Sequence, residues 1–330
     1  MSERVKVLCT GAGGFIGRHL VRYLLRKNRE VWCLLGPKDD PSEFKTIDVR
    51  LVSGDLTEPG SLKPLAQPYS YIYHLGALTK STAAGDLDRV NFDGTRTLVR
   101  LFLSRGLAPR RFLFTSSIAA VGPSAWGCPH RESSPCLPVS EYGWSKYRAE
   151  RFLLGLGDRF PATVVRLPLV YGPGSQGGLF AYFRLINRGI SLSLGRAEAT
   201  VGYVDDIVRG IVLAAENPRS SGQVYFLGES RSYRSEEVVR IIERSLRKRA
   251  LKIRIPYCLA SAGIHFLERH ARRRNRRPGV SQAELEEYLK YRSWLAAVDK
   301  AASELKYRTE IPLEAGARKT AQWYLRSGLL

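Results

Sequence analysis

The feature that most constrains the fold of this chain is a glycine-rich turn close to its beginning. Val5–Cys9 is a short apolar run typical of a buried strand, and Gly11, Gly14 and Gly17 follow it at regular intervals. Apolar residues then recur at helical spacing over Gly14–Lys27. A strand, a tight turn and a helix in this order predict a dinucleotide-binding unit, with the pyrophosphate against the free amides of the helix N-terminus.

The glycines have distinct predicted tasks in such a turn. Gly11 permits the sharp change of direction, Gly14 lets the backbone approach the pyrophosphate, and Gly17 lets the helix pack closely on the strand. The turn is therefore predicted to supply a set of cofactor-binding residues: Gly11, Gly13, Gly14, Phe15, Ile16 and Gly17.

Apolar runs alternate with amphipathic segments through the first half of the chain. The predicted strands are Val5–Cys9, Val31–Leu35, Arg50–Val52, Tyr71–Leu75, Arg111–Thr115 and Ala162–Leu167, with Val224–Leu227 returning later. The predicted helices include Gly14–Lys27, Val90–Arg105 and Tyr142–Leu156. Strands separated by helices predict an α/β fold, a Rossmann-type doubly wound parallel sheet.

A Gly-Pro break at Tyr171–Gly174 marks the predicted end of the first domain. We assign residues 1–174 to a dinucleotide-binding domain, to which residues 201–229 return. Residues 175–200 and 230–330 form a smaller, mainly helical substrate-binding lobe. Ligands of open parallel sheets sit at the carboxyl edge, so we expect the lobe to cover that edge.

Composition and cysteine usage indicate a folded protein of a reducing compartment. No early apolar run resembles a signal peptide, and the later stretch Ile255–Leu267 is too short to span a bilayer. A cytoplasmic location is therefore predicted. The five cysteines are widely spread and lack metal-ligand spacing, which favours reduced thiols and no metal site.

The net charge of +21 is unusually high. Much of it lies in one region, at Arg244, Arg247, Lys248, Arg249, Lys252, Arg254, Arg269, Arg272, Arg273, Arg274, Arg276 and Arg277. One interpretation is a solvated basic surface, and the other is peripheral contact with an anionic surface such as membrane headgroups. No nucleic-acid-binding motif accompanies the charge, so no specific nucleic-acid partner is predicted.

The end of the second strand bears on the choice between NAD and NADP. An acidic side chain there binds the ribose 2′-hydroxyl of NAD, whereas a basic one favours the 2′-phosphate of NADP. Residues 34–36 contain no carboxylate, and Lys38 follows shortly after them. This pattern slightly favours NADP and leaves NAD open. After the third strand, Asp55 is predicted to accept from the adenine amino group.

A tyrosine and a lysine four residues apart, Tyr142 and Lys146, are the candidates for proton transfer. On a helix this spacing puts both on the same face. A nearby ammonium favours the phenolate, and Lys146 can also bind the nicotinamide ribose. Ser117 stands just past the fifth strand, at the carboxyl edge, where its hydroxyl can orient a substrate oxygen.

Taken together, these motifs resemble the extended short-chain dehydrogenases/reductases, the NAD-dependent epimerase/dehydratase superfamily. The resemblance covers residues 5 to about 230 and rests on Thr10–Gly17, Gly54–Leu56, His74–Ala77, Asn91–Thr95, Ser116–Ser117, Tyr142–Lys146, Arg166–Gly174 and Tyr203–Asp206. It implies a catalytic triad of Ser117, Tyr142 and Lys146. It further implies cofactor contacts from Asp55, Leu56, Leu75, Gly76, Ala77, Asn91, Pro168 and Val170.

Departures from the family pattern concern the substrate. Nucleotide-sugar enzymes usually carry Asn in place of Pro168 and an Arg ahead of the Val-Asp-Asp element, for which Arg196 is the nearest candidate. The sequence around Pro168 resembles instead the branch of 3β-hydroxysteroid dehydrogenases and dihydroflavonol reductases. The proline-rich loop Val121–Ser140 suits a hydrophobic substrate. The predicted substrate-binding residues are Thr79, Ser117, Trp126 and Arg196.

These patterns lead to one main function and two alternatives. The main prediction is an NAD(P)-dependent oxidoreductase that interconverts a secondary alcohol and a ketone on a hydrophobic substrate. The first alternative is a nucleotide-sugar 4-epimerase; a dehydratase fits less well because Ile118–Ala120 offers no acidic pair. The second is a non-catalytic cofactor-sensing protein, which the intact triad disfavours. The resemblance also implies a homodimer through the helices near residues 95–106 and 142–156.

Overall fold

The computed structural model describes residues 4–254 and 290–330, apart from residues 82, 84 and 194, together with residues 262, 265, 266 and 269. Cys258 and most of the second half of the basic region, Arg272, Arg273, Arg274, Arg276 and Arg277, lie outside the described residues. Among the described residues, no helix combines the length and apolar character needed to cross a bilayer.

A parallel sheet of seven strands forms the centre of the molecule, in the order β10-β6-β5-β4-β1-β2-β3. Its strands are β1 Lys6–Thr10, β2 Glu30–Leu35, β3 Val49–Ser53, β4 Tyr71–His74, β5 Arg111–Ser117, β6 Ala162–Leu167 and β10 Val224–Phe226. The order reverses direction at β1, so the carboxyl ends of β1 and β4 meet at the switch point where ligands of such sheets bind. This confirms the predicted Rossmann-type fold.

Helices cover both faces of this sheet. On one face lie α1 Phe15–Arg26 and α6 Val204–Glu216, and on the other lie α3 Gly94–Leu103 and α4 Glu141–Leu154. A short helix α2, Asp86–Asp88, continues through a π-helical turn at Arg89–Asp93 into α3. Two separate apolar cores result, one on each face, as expected of strands buried on both sides.

The remaining described elements form a smaller lobe with its own apolar core. Strand β9 Glu198–Tyr203 is the centre of a second sheet and pairs with β7 Leu169–Tyr171, β11 Ser232–Arg234 and β13 Ser293–Trp294. A separate parallel pair joins β8 Ile190–Ser193 to β12 Leu251–Arg254. Helices α5 Phe180–Asn187, α7 Ser235–Leu246 and α9 Leu313–Arg326 complete the lobe, whereas α8 Asp299–Glu304 packs against β10 in one of the two cores of the central sheet.

Pro168 separates the two sheets. Strand β6 belongs to the central sheet and ends at Leu167, whereas β7 begins at Leu169 and pairs with β9 in the lobe. Proline has no amide hydrogen, so a strand ladder cannot continue through it. The chain therefore leaves the central sheet at the carboxyl edge and enters the lobe at once.

Candidate active site

The glycine turn has the shape that its sequence predicts. Gly11 has a φ of +66°, and a Cβ on it would lie 2.6 Å from the amide nitrogen of Gly76. A Cβ on Gly17 would lie 2.1 Å from the carbonyl oxygen of Gly11. Gly14 ends the turn as the N-cap of α1, with no side chain over the first amides of that helix. The turn is therefore open to an anion at the helix N-terminus.

An acidic residue that the sequence reasoning did not single out lies beside this turn. Asp39 follows β2, and its Oδ2 accepts a 2.8 Å hydrogen bond from the amide of Gly36. Its carboxyl group packs against Gly13, where an added Cβ would come within 2.6 Å of the Asp39 Cγ. The carboxylate thus occupies the place at the end of β2 where a ribose hydroxyl is recognised in this fold.

The other predicted adenosine-side residues are distributed around the same edge. Lys38 is exposed and its charge contributes, after hydrogen bonds from Ser81 and Arg89, to lowering the pKa of Asp86. Asp55 uses Oδ1 locally, because it accepts from the amide and hydroxyl of Thr57, both at 2.8 Å. Of the hydrophobic members of the set, Leu56 is buried, and Leu75 and Ala77 are half-buried.

A chain of hydrogen bonds crosses the switch point beneath the turn. Thr10 Oγ1 accepts from the Gly76 amide at 3.1 Å and contacts His74 Nδ1 at 2.6 Å. The other ring nitrogen of His74 lies 2.9 Å from Thr95 Oγ1, which in turn donates to the Asn91 carbonyl at 2.6 Å. Because the Thr95 hydroxyl donates its hydrogen to the Asn91 carbonyl, it can only accept from His74 Nε2. His74 therefore carries its proton on Nε2 and accepts a hydrogen bond at Nδ1.

Burial and the charge of Lys146 lower the pKa of His74 to about 3. The imidazole therefore stays neutral at physiological pH. His74 packs within 5.5 Å, centroid to centroid, of the Phe112 ring and is fully enclosed. It joins the turn to the catalytic side of the sheet and is no candidate for a base.

Asn91 continues this network toward the candidate catalytic helix. Its amide oxygen accepts from the Leu78 amide and its amide nitrogen donates to the Leu78 carbonyl, both at 2.8 Å. The same nitrogen also donates to Ser145 Oγ at 2.9 Å, and Ser145 donates to the Tyr142 carbonyl. Asn91 therefore positions the loop after β4 and the first turn of α4 relative to each other.

The candidate catalytic residues Ser117 and Tyr142 meet at the carboxyl end of β5. Ser117 ends this strand and caps the following turn by accepting from the Ala119 amide at 3.2 Å. Burial raises the pKa of Tyr142 to about 12, and a hydrogen bond with Ser117 partly offsets the rise. The sequence predicts a phenolate favoured by Lys146, whereas in the structure desolvation is the larger effect and favours the protonated phenol.

Lys146 is buried one helical turn beyond the tyrosine. Its Nζ donates to the Thr115 carbonyl at 2.8 Å and lies 4.6 Å from the centre of the Phe114 ring. Burial lowers its pKa to about 7, although the negative charge of Glu150 opposes the shift. The neighbouring Ser116 Oγ is buried and has no hydrogen-bond partner among the described residues. A buried polar atom without a hydrogen-bond partner fits a site in which a bound polar group supplies that partner.

A buried ion pair anchors α4 to the sheet. The guanidinium of Arg166 on β6 binds both carboxylate oxygens of Glu150, with Nη2 at 2.8 Å from Oε2. The same Nη2 lies 3.2 Å from the sulfur of Cys136, in the loop between β5 and α4. The ion pair therefore fixes α4, which carries the candidate catalytic residues, and contacts the loop between β5 and α4.

The predicted substrate residues fall into two places. Trp126 and Arg196 line one cavity of about 370 Å³, together with Arg234 and Arg292. Thr79 is exposed in the loop after β4 and does not line this cavity. The loop that carries Trp126 is held by the lobe, because the Gly127 amide donates to Glu198 at 2.6 Å and Ser124 pairs with Ser293. Glu198, Arg234 and Ser293 were not identified from the sequence, since no motif marks them.

This combination of a glycine turn, a tyrosine one helical turn from a buried lysine, and a strand-end serine can be compared with known proteins. A model of the NAD dependent epimerase/dehydratase family matches residues 7–228 of the chain. The chain belongs to this family. The match covers the central sheet and its helices through β10, and the family is one of nicotinamide-dependent enzymes.

The relatives within the family differ in reaction. Ceramide reductase from Caulobacter vibrioides is 31% identical over 64% of this chain and 61% of that protein. UDP-glucose 4-epimerase from Vibrio cholerae is 26% identical over 79% of this chain and 82% of that protein. MoeE5, solved in complex with UDP-glucuronic acid and NAD, is 26% identical with a TM-score of 0.74, over 98% of this chain and 99% of its own.

The described residues fit the nicotinamide cofactor that the family uses. A Cβ at Gly11 or Gly17 would collide with the backbone of the turn, and no side chain caps the first amides of α1 with a hydrogen bond. The buried hydroxyl of Ser116 lacks a hydrogen-bond partner among the described residues. The chain is thus an enzyme of the NAD-dependent type, and its reaction and substrate are matters for proposal.

Proposed function

We propose that this protein is an oxidoreductase that interconverts a secondary alcohol and a ketone on a hydrophobic substrate. The observation that carries the proposal is the hydrogen bond between Tyr142 and Ser117, one helical turn from the buried Lys146. A phenol that keeps its proton at neutral pH is ready to donate it to a carbonyl oxygen, which is what ketone reduction requires.

Each member of the triad has a task in this reaction. Tyr142 donates its proton to the substrate oxygen during reduction and takes it back during oxidation. Ser117 donates a hydrogen bond to the same oxygen and so orients it. Lys146 would hold the ribose hydroxyls of the cofactor and place a positive charge near the phenol. When bound, the nicotinamide ring supplies or accepts the hydride at the carbinol carbon.

The character of the substrate loop supports a hydrophobic substrate. Trp126 and Leu137 on the loop expose 47% and 71% of their surface, so the loop presents two large apolar side chains to solvent. Pro168 is buried at the edge where the chain leaves the central sheet and offers no amide or carboxamide donor to a sugar. Similarity to a ceramide reductase, whose named substrate is a lipid, points the same way.

We further propose NAD as the cofactor, because of Asp39. A carboxylate beside the glycine turn accepts from a ribose 2′-hydroxyl and repels a 2′-phosphate. The sequence reasoning slightly favoured NADP on the strength of Lys38. That lysine is exposed, and its charge contributes to lowering the pKa of Asp86. The position of Asp39 therefore outweighs it.

A second candidate function is supported by the arginine-lined cavity. Arg196, Arg234 and Arg292 share one cavity with Trp126, and guanidinium groups beside an indole suit a phosphorylated sugar carrier. An epimerase would use the same triad and return the hydride to its substrate. Similarity to UDP-glucose 4-epimerase supports this alternative.

One assay separates the two candidates. The purified protein is incubated with NADH or NADPH and a panel of long-chain and cyclic ketones, and separately with UDP-glucose and NAD. Net consumption of reduced cofactor with ketones supports the reductase, whereas formation of UDP-galactose without net cofactor turnover would refute it and support the epimerase. Tyr142→Phe is expected to lose at least about a hundredfold in kcat. Tyr147→Phe, on the next turn of the same helix, is the control and should retain activity.

A further inference from the structure

The parallel pair β8–β12 carries an apolar face that no described element covers fully. The strand register places Leu251 beside Ile190 and Ile253 beside Leu192. Because side chains alternate along a strand, these residues share one face, which we call the β12 face: Ile190, Leu192, Leu251 and Ile253. Leu251 is 70% exposed and Ile253 is 38% exposed, while Ile190 and Leu192 are half-buried.

The opposite face of the pair is turned toward the lobe. Ser191, which alternates with Ile190 and Leu192, is only 6% exposed. Helix α5 immediately precedes β8, and its Phe183 and Ile186 are buried in the lobe core. The β12 face is therefore the outer surface of the pair, and β12 forms its edge.

Positive charge surrounds the β12 face. The turn between α7 and β12 carries Arg247, Lys248 and Arg249, all exposed. Lys252 is exposed as well, but it pairs with Ser191 and so starts on the other side of the strand from Leu251 and Ile253. Across the pair, Arg188 is exposed just before β8. The stretch 244–254 contains no acidic residue. Among the described residues, the one carboxylate that bonds to this turn is the half-buried Glu243, which accepts from the Ala250 amide at 3.0 Å.

We propose that the β12 face docks the protein on the surface of an anionic phospholipid bilayer. Leu251 and Ile253 would enter the boundary between headgroups and acyl chains, where exposed aliphatic side chains lose contact with water. The basic residues around them would lie level with the phosphate groups, and each strengthens binding to an anionic bilayer about fivefold. The surface thus combines the two features that peripheral binding needs, an apolar insertion and a cationic rim.

This combination favours a bilayer over a nucleic acid or a second copy of the chain. A nucleic-acid surface would use the charges and leave two exposed aliphatic side chains without a role. A second copy would bring the same cluster of positive charges against itself, which is repulsive. An anionic bilayer complements both features together.

Vesicle co-sedimentation with the full chain tests the proposal. Vesicles of pure phosphatidylcholine are compared with vesicles of equal parts phosphatidylcholine and phosphatidylglycerol. We expect binding to the anionic vesicles alone, weakened by added salt because the contact is electrostatic. The double variant Arg247→Gln/Arg249→Gln is expected to bind roughly twenty-five-fold more weakly, the product of two fivefold losses. Leu251→Ser/Ile253→Ser should also weaken binding at unchanged net charge.

A matched control removes the same charge elsewhere. Arg105 and Arg110 are exposed beyond α3 and form no side-chain hydrogen bond or ion pair among the described residues. The variant Arg105→Gln/Arg110→Gln should bind vesicles as the wild type does. All substituted residues are exposed, and unchanged thermal unfolding verifies that each variant folds.

Four results would overturn the proposal. The first is equal binding to neutral and anionic vesicles. The second is a loss of vesicle binding in the control variant as large as in the test variant, and the third is unchanged vesicle binding in Leu251→Ser/Ile253→Ser. The fourth is a preference for duplex DNA over anionic vesicles that depends on Arg247 and Arg249. A change of oligomeric state in Leu251→Ser/Ile253→Ser, without a change in vesicle binding, would assign the face to contact between copies instead.

Discussion

At the scale of single residues, burial controls the chemistry of the triad. Tyr142 and Lys146 are both driven toward their neutral forms, with pKa values of about 12 and about 7. The sequence predicts the identity and spacing of the pair, because four residues make one helical turn. It could not predict the direction of the Tyr142 shift, which depends on how the strand and helix around the phenol exclude water.

The ionisation of Lys146 should appear in the pH dependence of catalysis. Its ammonium is present below pH 7 and is lost as the pH rises through the pKa of about 7. We expect kcat/KM to fall on the alkaline side of that value, since this parameter reports groups of the free enzyme. Glu150→Gln should move this fall to lower pH, because the Glu150 carboxylate raises the pKa of Lys146. Glu141→Gln, exposed on the same helix, should leave the profile in place, and an unmoved profile in Glu150→Gln would contradict the assignment.

Cofactor choice is a second property of one side chain. Asp39→Asn should weaken NADH binding about tenfold, as expected when a hydrogen bond to a charged group is lost, and should improve the use of NADPH. The matched control is Asp40→Asn, because Asp40 is exposed and caps the turn at Ser42. Titration of both cofactors by fluorescence measures the effect. If the ratio of the dissociation constants for NADH and NADPH were the same in Asp39→Asn as in the wild type, the role given to this carboxylate would be excluded.

At the scale of elements, the start of α4 is placed by close backbone contact. A Cβ on Gly143 would lie 2.3 Å from the carbonyl oxygen of Ala119, just after the catalytic serine. The glycine thus lets the helix that carries Tyr142 approach the end of β5. Long periodic strands and helices such as these could be predicted from the sequence. The short strands β7, β8, β12 and β13 could not, because so few residues establish no period.

Substitution of Gly143 tests how tightly this approach controls catalysis. Gly143→Ala raises helix propensity but requires α4 to move away from Ala119. We expect a loss of about a hundredfold in kcat, the effect of a displacement of about 1 Å at a reacting group. Gly155→Ala, at the other end of the same helix, should retain activity. Full activity in Gly143→Ala would show that the helix start tolerates the shift.

At the scale of the whole molecule, a buried carboxyl group ties together segments of the lobe that are far apart in the chain. Glu229 accepts from the Tyr233 hydroxyl at 2.7 Å and from the Leu313 amide at 3.3 Å, and burial raises its pKa to about 7. Its other oxygen, and the hydroxyl of the enclosed Tyr171, have no hydrogen-bond partner among the described residues. Nothing in the sequence near Glu229 signals this, because the contacts come from segments far apart in the chain.

The raised pKa makes a prediction about stability. Between the ordinary value of 4.5 and about 7 the folded state holds a proton on Glu229 that the unfolded state releases, so its contribution to stability falls as pH rises. Relative to Glu229→Gln, the wild type should lose about 3 kcal/mol of unfolding free energy across that window. Denaturant unfolding at several pH values measures it. Glu236→Gln, exposed at the start of α7, is the control. A difference in unfolding free energy between the wild type and Glu229→Gln that does not change with pH would refute the raised pKa.

The loop between Ser117 and Tyr142 also has a consequence for the order in which the protein is completed. Ser124 pairs with Ser293, and the His130 amide donates to the Leu295 carbonyl at 2.9 Å. The triad is synthesised long before these partners leave the ribosome. A nascent chain that ends after β10 would hold the whole cofactor turn and all three catalytic side chains. Its loop between β5 and α4 would still lack the contacts of Ser124 and His130 with Ser293 and Leu295, which can form only after that later segment is synthesised.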